Sequence, residues 1–160
     1  MIEFKTASDT IEVNGDNVKI ESTLFLGREG ISLALQIGKL IAPFFRALGF
    51  LSSKNDYLDE KDSASKIELS PDFFKTIVEQ LITAMDDKKI LELIFRLLRG
   101  TRINGQEVSK PEIFDIVFQA NLSLLYKVLE FIIVKNFSGF FDSGSVSNLL
   151  KKMASNALQK

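Results

Sequence analysis

Apolar residues recur along this chain at two different periods, and the change of period divides it. Up to Glu21 they alternate. Ile2–Lys5, Thr10–Val13 and Val18–Glu21 alternate apolar with polar and are rich in β-branched residues, which predicts strands. Asn14-Gly15-Asp16-Asn17 separates the last two, and Asn and Gly accept positive φ, so a hairpin turn is expected there. Such a sheet either offers an edge to a partner strand or lids the core. From Ile31 the spacing lengthens to i, i+3, i+4. Leu33, Ile37, Leu40, Ile41, Phe44, Phe45, Leu48 and Leu51 then share one face of a helix over Ile31–Leu51, which Pro43 is expected to kink. Ser70-Pro71-Asp72 reads as a helix start, followed by Phe74, Ile77, Val78, Leu81, Ile82 and Met85 on one face. Asp87 is placed to cap a third helix, Lys88–Arg99, whose face is Ile90, Leu91, Ile94, Phe95 and Leu98 and whose stop is Gly100. A second Asn-Gly turn, Asn104-Gly105, predicts a short hairpin within Thr101–Val108.

The longest apolar stretch runs from Ser109 to Phe141. Ser109 is placed to cap it, Pro111 suits its first turn, and Glu112 sets negative charge at the positive end of the helix dipole. Phe114, Val117, Phe118, Leu124, Leu125, Val128, Phe131 and Ile132 keep helical spacing, and Ile113, Ile116, Leu129 and Ile133 widen the stripe past half the circumference. A helix this apolar is wrapped by neighbours on several sides. Asn121 falls on the stripe, where a buried amide needs a partner. Glu130 lies three residues from Lys127 and is expected to pair with it at the wet edge.

The fold class that follows is mainly α (α+β): a small N-terminal antiparallel hairpin or sheet, then a compact helical domain of about four to five helices with a short second hairpin. Its 160 residues suit one domain. Residues 1–141 form that domain, with a β-hairpin region at 1–22, the apolar helix at 28–51, a polar loop at 52–66 and a helical core at 70–141; residues 142–160 form a polar tail expected to be mobile.

Composition narrows the chemistry. There is no Cys and no His, which removes disulfides, thiolate metal sites, and the commonest general base and metal ligand. A net charge of −1 argues against a general nucleic-acid binder. Asp86-Asp87 is an adjacent carboxylate pair, but neighbours diverge on a helix, and capping accounts for it better than acid–base chemistry. Asp56, Asp59, Glu60 and Asp62 lack the glycine and the terminal Glu of a calcium loop and read as solvated charge. Gly27-Arg28-Glu29-Gly30 before a helix is a weak anion site without the phosphate-loop pattern. No catalytic, cofactor-binding or metal residue is therefore assigned, and no cofactor is expected. The polar opening MIEFKTASDT carries no signal-peptide pattern. Three readings of Ile31–Leu51 stay open: a core or oligomer-interface helix, an interfacial membrane helix, or a span. Lys39, Arg46 and Pro43 inside it favour the first.

One further pattern lies between Ile90 and Phe141. A helix ending LLRG is followed by TRINGQEVS, by a Pro-led helix containing FQANLSLLYKVLEF with its Phe-x-x-Asn step, and by VKNFSGFF. This run resembles the tail assembly chaperones of long-tailed bacteriophages of siphovirus or myovirus type. The resemblance implies a non-enzymatic protein that keeps the tape measure protein soluble and recruits tail tube subunits around it. It would act in the host cytoplasm and leave before the virion is complete. It also implies self-association or a frameshift-extended form, for which the codons of Lys151 and Lys152 are the place to look. Candidate partner contacts on this basis are Phe137, Phe140 and Phe141 at the helix end and Leu149, Leu150 and Met153 in the tail, with core packing as the other use open to each and the one preferred. The other classes weighed are a membrane-associated small protein using helix 31–51 and a structural tail component.

Overall fold

The computed structural model describes residues 3–47, 71–83 and 86–142. The polar loop at 52–66 and the tail beyond Asp142 lie outside them. Strands β1 (Thr6–Val13) and β2 (Asp16–Thr23) form the expected hairpin, with Val13 opposite Asp16. Asn14 (φ 54°) and Gly15 (φ 88°) supply the paired positive φ values that suit the strands' twist. Where the alternation suggested strands at Ile2–Lys5 and Thr10–Val13, the structure has one strand, and Glu3–Lys5 precede it. The polar run Thr6–Asp9 concealed it. β1 is the outer strand, so even Asp9, which faces the helices opposite Ile20, stays exposed and tolerates a charge.

Helix α1 (Gly27–Ala47) starts at Gly27 rather than near Ile31 and continues through Pro43. Leu33 and Ile37 are fully buried and Leu40 half-buried; the rest of that face, from Ile41, lies outside the described side chains. Helix α2 (Pro71–Thr83) buries Phe74, Ile77, Val78 and Leu81 at the anticipated spacing. Helix α3 (Lys88–Leu97) is capped as expected, the Asp87 carboxylate accepting from Lys89 N at 2.7 Å. Its buried face is turned from the one the spacing suggested. Leu93 and Leu97 join Ile94 and Leu98 in the core, while Ile90, Leu91 and Phe95 are half-buried.

Strands β3 (Thr101–Ile103) and β4 (Gln106–Glu107) close on Asn104 (φ 48°) and Gly105 (φ 84°). This second hairpin is not a separate feature. β3 pairs antiparallel with β2, Ile20 facing Ile103 and Ser22 facing Thr101, so the two hairpins make one four-stranded sheet in the order β1-β2-β3-β4. Asn104 secures the join. Its N–H donates to the Lys19 carbonyl at 2.9 Å, and its side-chain oxygen accepts from Lys19 N at 3.0 Å, standing in for a carbonyl that the left-handed turn directs elsewhere. On the inner face Ala7, Ile11, Val13, Val18, Ile20 and Ile103 meet the helices. Ser22 and Thr101 are buried there too, their hydroxyls bonded to each other at 3.0 Å.

The stretch read as one helix from Ser109 to Phe141 is two: α4 (Pro111–Phe118) and α5 (Leu122–Asp142), bent by 119°. Ala120, at φ 54°, makes the corner, and Asn121 starts the new helix by accepting from Leu124 N at 3.1 Å. The partner expected for Asn121 is therefore a helix N-terminus. Ser109 does not cap α4; it donates to the Glu107 carboxylate at 2.9 Å, and the cap position, Lys110, contributes only its backbone. Left-handed backbone disfavours an L side chain, so Ala120→Gly should stabilise the fold by about 0.5–1 kcal/mol in urea unfolding. A loss of stability instead would show that the corner is held some other way.

α5 is the centre of the molecule. It packs against α1, α2, α3, α4 and β1, and Leu125, Val128, Leu129, Ile132 and Ile133 are fully buried. Lys127 reaches past its expected partner Glu130 and donates to the Glu12 carbonyl of β1.

Candidate functional site

The chain has neither Cys nor His, and among the described residues no three acidic groups are placed to hold a metal ion. Asn136 and Phe137 open the Asn-Phe-x-x-Phe-Phe sequence near the end of α5. Asn136 uses both ends of its amide: the oxygen accepts from Phe25 N at 2.9 Å, and the nitrogen donates to the Ile132 carbonyl one turn back, also at 2.9 Å. Phe25, which follows β2, stacks on Phe137 with ring centroids 6.1 Å apart and planes 20° from parallel. Phe137 is 2% exposed. Of the residues assigned to partner contact, the structure thus places Phe137 in the core, as the buried half of a clamp between α5 and the β2–α1 connection. Phe140 and Phe141 belong to the last turn of α5 without described side chains, and Leu149, Leu150, Lys151, Lys152 and Met153 lie outside the described residues.

Among the described residues, five large apolar side chains are instead exposed, in two groups. Phe4 (63%), Leu26 (57%) and Ile31 (53%) lie near the β2–α1 connection; Ile116 (69%) and Leu122 (57%) flank the α4–α5 corner. Two backbone bonds flank the first group: Leu24 N donates to the Lys5 carbonyl at 2.8 Å, and Gly30 N to the Leu26 carbonyl at 2.8 Å. Between Leu122 and Phe137, where Phe25 is fastened, α5 rises about 22 Å. Sequence spacing did not find them. Ile116 sits within the apolar stripe read for its helix and only packing shows it turned outward, whereas Ile31 opens the helix read from spacing and lies off its apolar face.

The other partner-facing idea concerned the free edge of β1. The Leu24–Lys5 bond fixes which groups face β2, leaving the N–H and C=O of Thr6, Ser8, Thr10 and Glu12 on the outer side. Two of these are occupied within the chain: Thr10 N donates to Asp9 Oδ1 at 2.8 Å, and the Glu12 carbonyl accepts from Lys127. A charged side chain over an edge strand discourages pairing with another chain. The lid reading of this hairpin is the better supported.

Electrostatics are structural in character. Arg96 of α3 donates to Glu29 Oε1 through Nη2 at 2.9 Å and Nε at 3.3 Å, and to Gln36 Oε1 at 3.0 Å, tying α3 to α1. Glu29 is thereby engaged in the first turn of α1, which argues against an anion at Gly27–Gly30. On the outer sheet face Lys19 lies 2.8 Å from Glu21. Its hydrogen bond and then its charge hold the Glu21 carboxyl below the usual carboxylate range, outweighing the opposing effect of desolvation, and the charge of Arg102 adds the least. A depressed folded-state pKa stabilises above the unfolded value and is lost as pH falls through the folded one. Lys19→Met should therefore move the NMR titration of Glu21 upward toward an ordinary glutamate, with little change in stability because the pair is exposed. An unmoved titration would assign the shift elsewhere.

Among the described residues no single helix is long and apolar enough to cross a membrane; α4 and α5 pass together by length and composition, but only across their bend. Much of that pair is buried in the core. A family model described as phage tail assembly chaperone protein, TAC, matches residues 14–150. No curated protein and no solved structure gives a match.

Proposed function

The chain belongs to the phage tail assembly chaperone family, and from that premise we propose that it binds the tape measure protein, keeps it soluble, and helps recruit tail tube subunits during tail morphogenesis. The observation that carries this reading is the family match, which extends from the first hairpin turn through the helical core to the tail. The protein acts on this view by association alone. It trades its own exposed apolar surface for that of a client, so no bond is made or broken. The two groups of exposed residues suit such an exchange, because each can be covered without disturbing the core. Phe140, Phe141, Leu149, Leu150 and Met153 remain the proposed contacts at the C-terminal end, whereas Phe137 is buried against Phe25. The place of action is the host cytoplasm, with release before the virion is complete. A frameshift-extended form, read through the codons of Lys151 and Lys152, belongs to the same proposal.

Co-expression tests it. The tape measure protein encoded by the same phage should move from the insoluble to the soluble fraction when this chain is present, and should co-purify with it. A tape measure protein that stays insoluble, or is soluble without help, overturns the client assignment. Proteomics of purified virions should then lack this chain; its stable presence would make it a structural component instead.

A further inference from the structure

Three residues, Gln119, Ala120 and Asn121, part α4 from α5. Gln119 leaves the helix at ψ 120°, and Ala120 turns the corner at φ 54°. The residues themselves ask for no break. Between Glu112 and Ser138 there is neither Gly nor Pro, and the corner residue is alanine, the strongest helix former. Phe114, Phe118, Asn121, Leu125, Val128 and Ile132 follow one another at steps of 4, 3, 4, 3 and 4, the spacing of one face of an uninterrupted helix. Against this pattern, the corner holds an L side chain in left-handed backbone. Asn121 supports it: its side-chain oxygen accepts from Leu124 N at 3.1 Å, and its N–H donates to the Phe118 carbonyl at 3.0 Å.

We propose that α4 and α5 also join as one continuous helix, Pro111–Asp142, and that α5 then seats in a second copy of this chain, which returns the exchange. The second copy is selected by what α5 needs. Straightening the corner carries α5 away from α4, while α4 stays on α3 through the Phe95–Phe114 ring contact, centroids 4.9 Å apart. Leu125, Val128, Leu129 and Ile132, all fully buried, then require cover of the same shape. The seat that fits them is the one α5 leaves, against α1, α2, α3 and β1, and a second copy undergoing the same change offers it. The core contacts are remade between copies, and only the two corners differ. Relief of the left-handed alanine and the added helix bonds favour the exchanged form, as short connections under strain do in general. The lost freedom of association opposes it, so the balance moves with concentration. This exchange is a property of the chain by itself and stands or falls separately from the identity of the client.

Refolding the full-length chain at increasing concentration should give a growing dimer fraction, measured by light scattering after size exclusion. Ala120→Gly accepts positive φ and weakens a helix, so it should lower dimer affinity about tenfold at each of the two corners. Asn121→Ala removes the support of the corner and should raise that affinity about fivefold at each. Spin labels identify the form of the dimer. The chain has no cysteine, and Glu112 and Lys135 are exposed, so Glu112→Cys with Lys135→Cys can be labelled and refolded with excess unlabelled chain. The two labels of one chain should stand about 34 Å apart in the dimer, and roughly half that in the monomer, where the helices are bent by 119°. A chain that stays monomeric at every concentration overturns the proposal. So does a dimer whose labels keep the shorter distance, which would put the interface on the outer surface, and so does a dimer indifferent to Ala120→Gly.

Discussion

Phe137→Ala is expected to destabilise the protein by about 3–5 kcal/mol, the range for removing a buried phenyl ring. Ordinary domains hold only about 5–15 kcal/mol in total, so the variant should sit near the edge of folding. The size of the effect follows from position. Phe137 is 2% exposed, its ring is stacked on Phe25, and the preceding Asn136 bonds to Phe25 N. Truncation leaves a void against the β2–α1 connection, and the fastening of α5 loses its apolar half. Ile116→Ala supplies the comparison: an apolar residue from the same family of stripes, but largely exposed, and expected to change stability by no more than about 0.5 kcal/mol. Urea unfolding of the two variants separates core from surface. If Phe137→Ala unfolds like the parent chain, the ring is not core and its assignment to direct client contact returns. The same result bears on binding experiments, since a client lost by Phe137→Ala is lost through the fold.

The sequence pattern makes legible what depends on neighbours along the chain. Both Asn-Gly turns, the Asp87 cap and the apolar face of α2 need only the residues within a few positions, and the structure has them. What remained hidden depends on distant segments. Thr101 and Ser22 meet across 79 residues, and no local signal announces that the second hairpin completes the first one's sheet. The corner at Ala120 escaped for a different reason. It lies between two helices whose apolar spacing stays in phase, and it uses an alanine in left-handed backbone where a glycine or proline would have marked the break. Phe137 shows the limit for function: an aromatic at a helix end can serve as anchor or as contact, and although core packing is the reading preferred from the sequence, it is the burial against Phe25 that separates the two.

Gly100→Ala is expected to cost about 2–3 kcal/mol, and it tests the junction that joins helices to sheet. Gly100 stands between α3 and β3 at φ +70°, a conformation that disfavours any L side chain by about 1–2 kcal/mol. Space is short as well. A Cβ there would lie 3.1 Å from Thr23 Cβ and 3.2 Å from Thr23 Oγ1. Relief by movement is costly, because the Gly100 carbonyl accepts from Thr23 N at 3.1 Å and that bond extends the β2–β3 pairing. Gly105→Ala isolates the two effects: its φ is +84°, but nothing lies within 4 Å of the added carbon. The difference between the variants therefore measures the close approach to Thr23. For a chain of this size the Gly100 variant should lose roughly 4–12 °C in thermal midpoint. Equal losses at Gly100 and Gly105 would mean that the backbone conformation alone matters and that Thr23 can move aside freely. A larger loss at Gly100 would show that β2 and β3 are held in register at that contact, which is where the two hairpins, separate in the sequence, become one sheet.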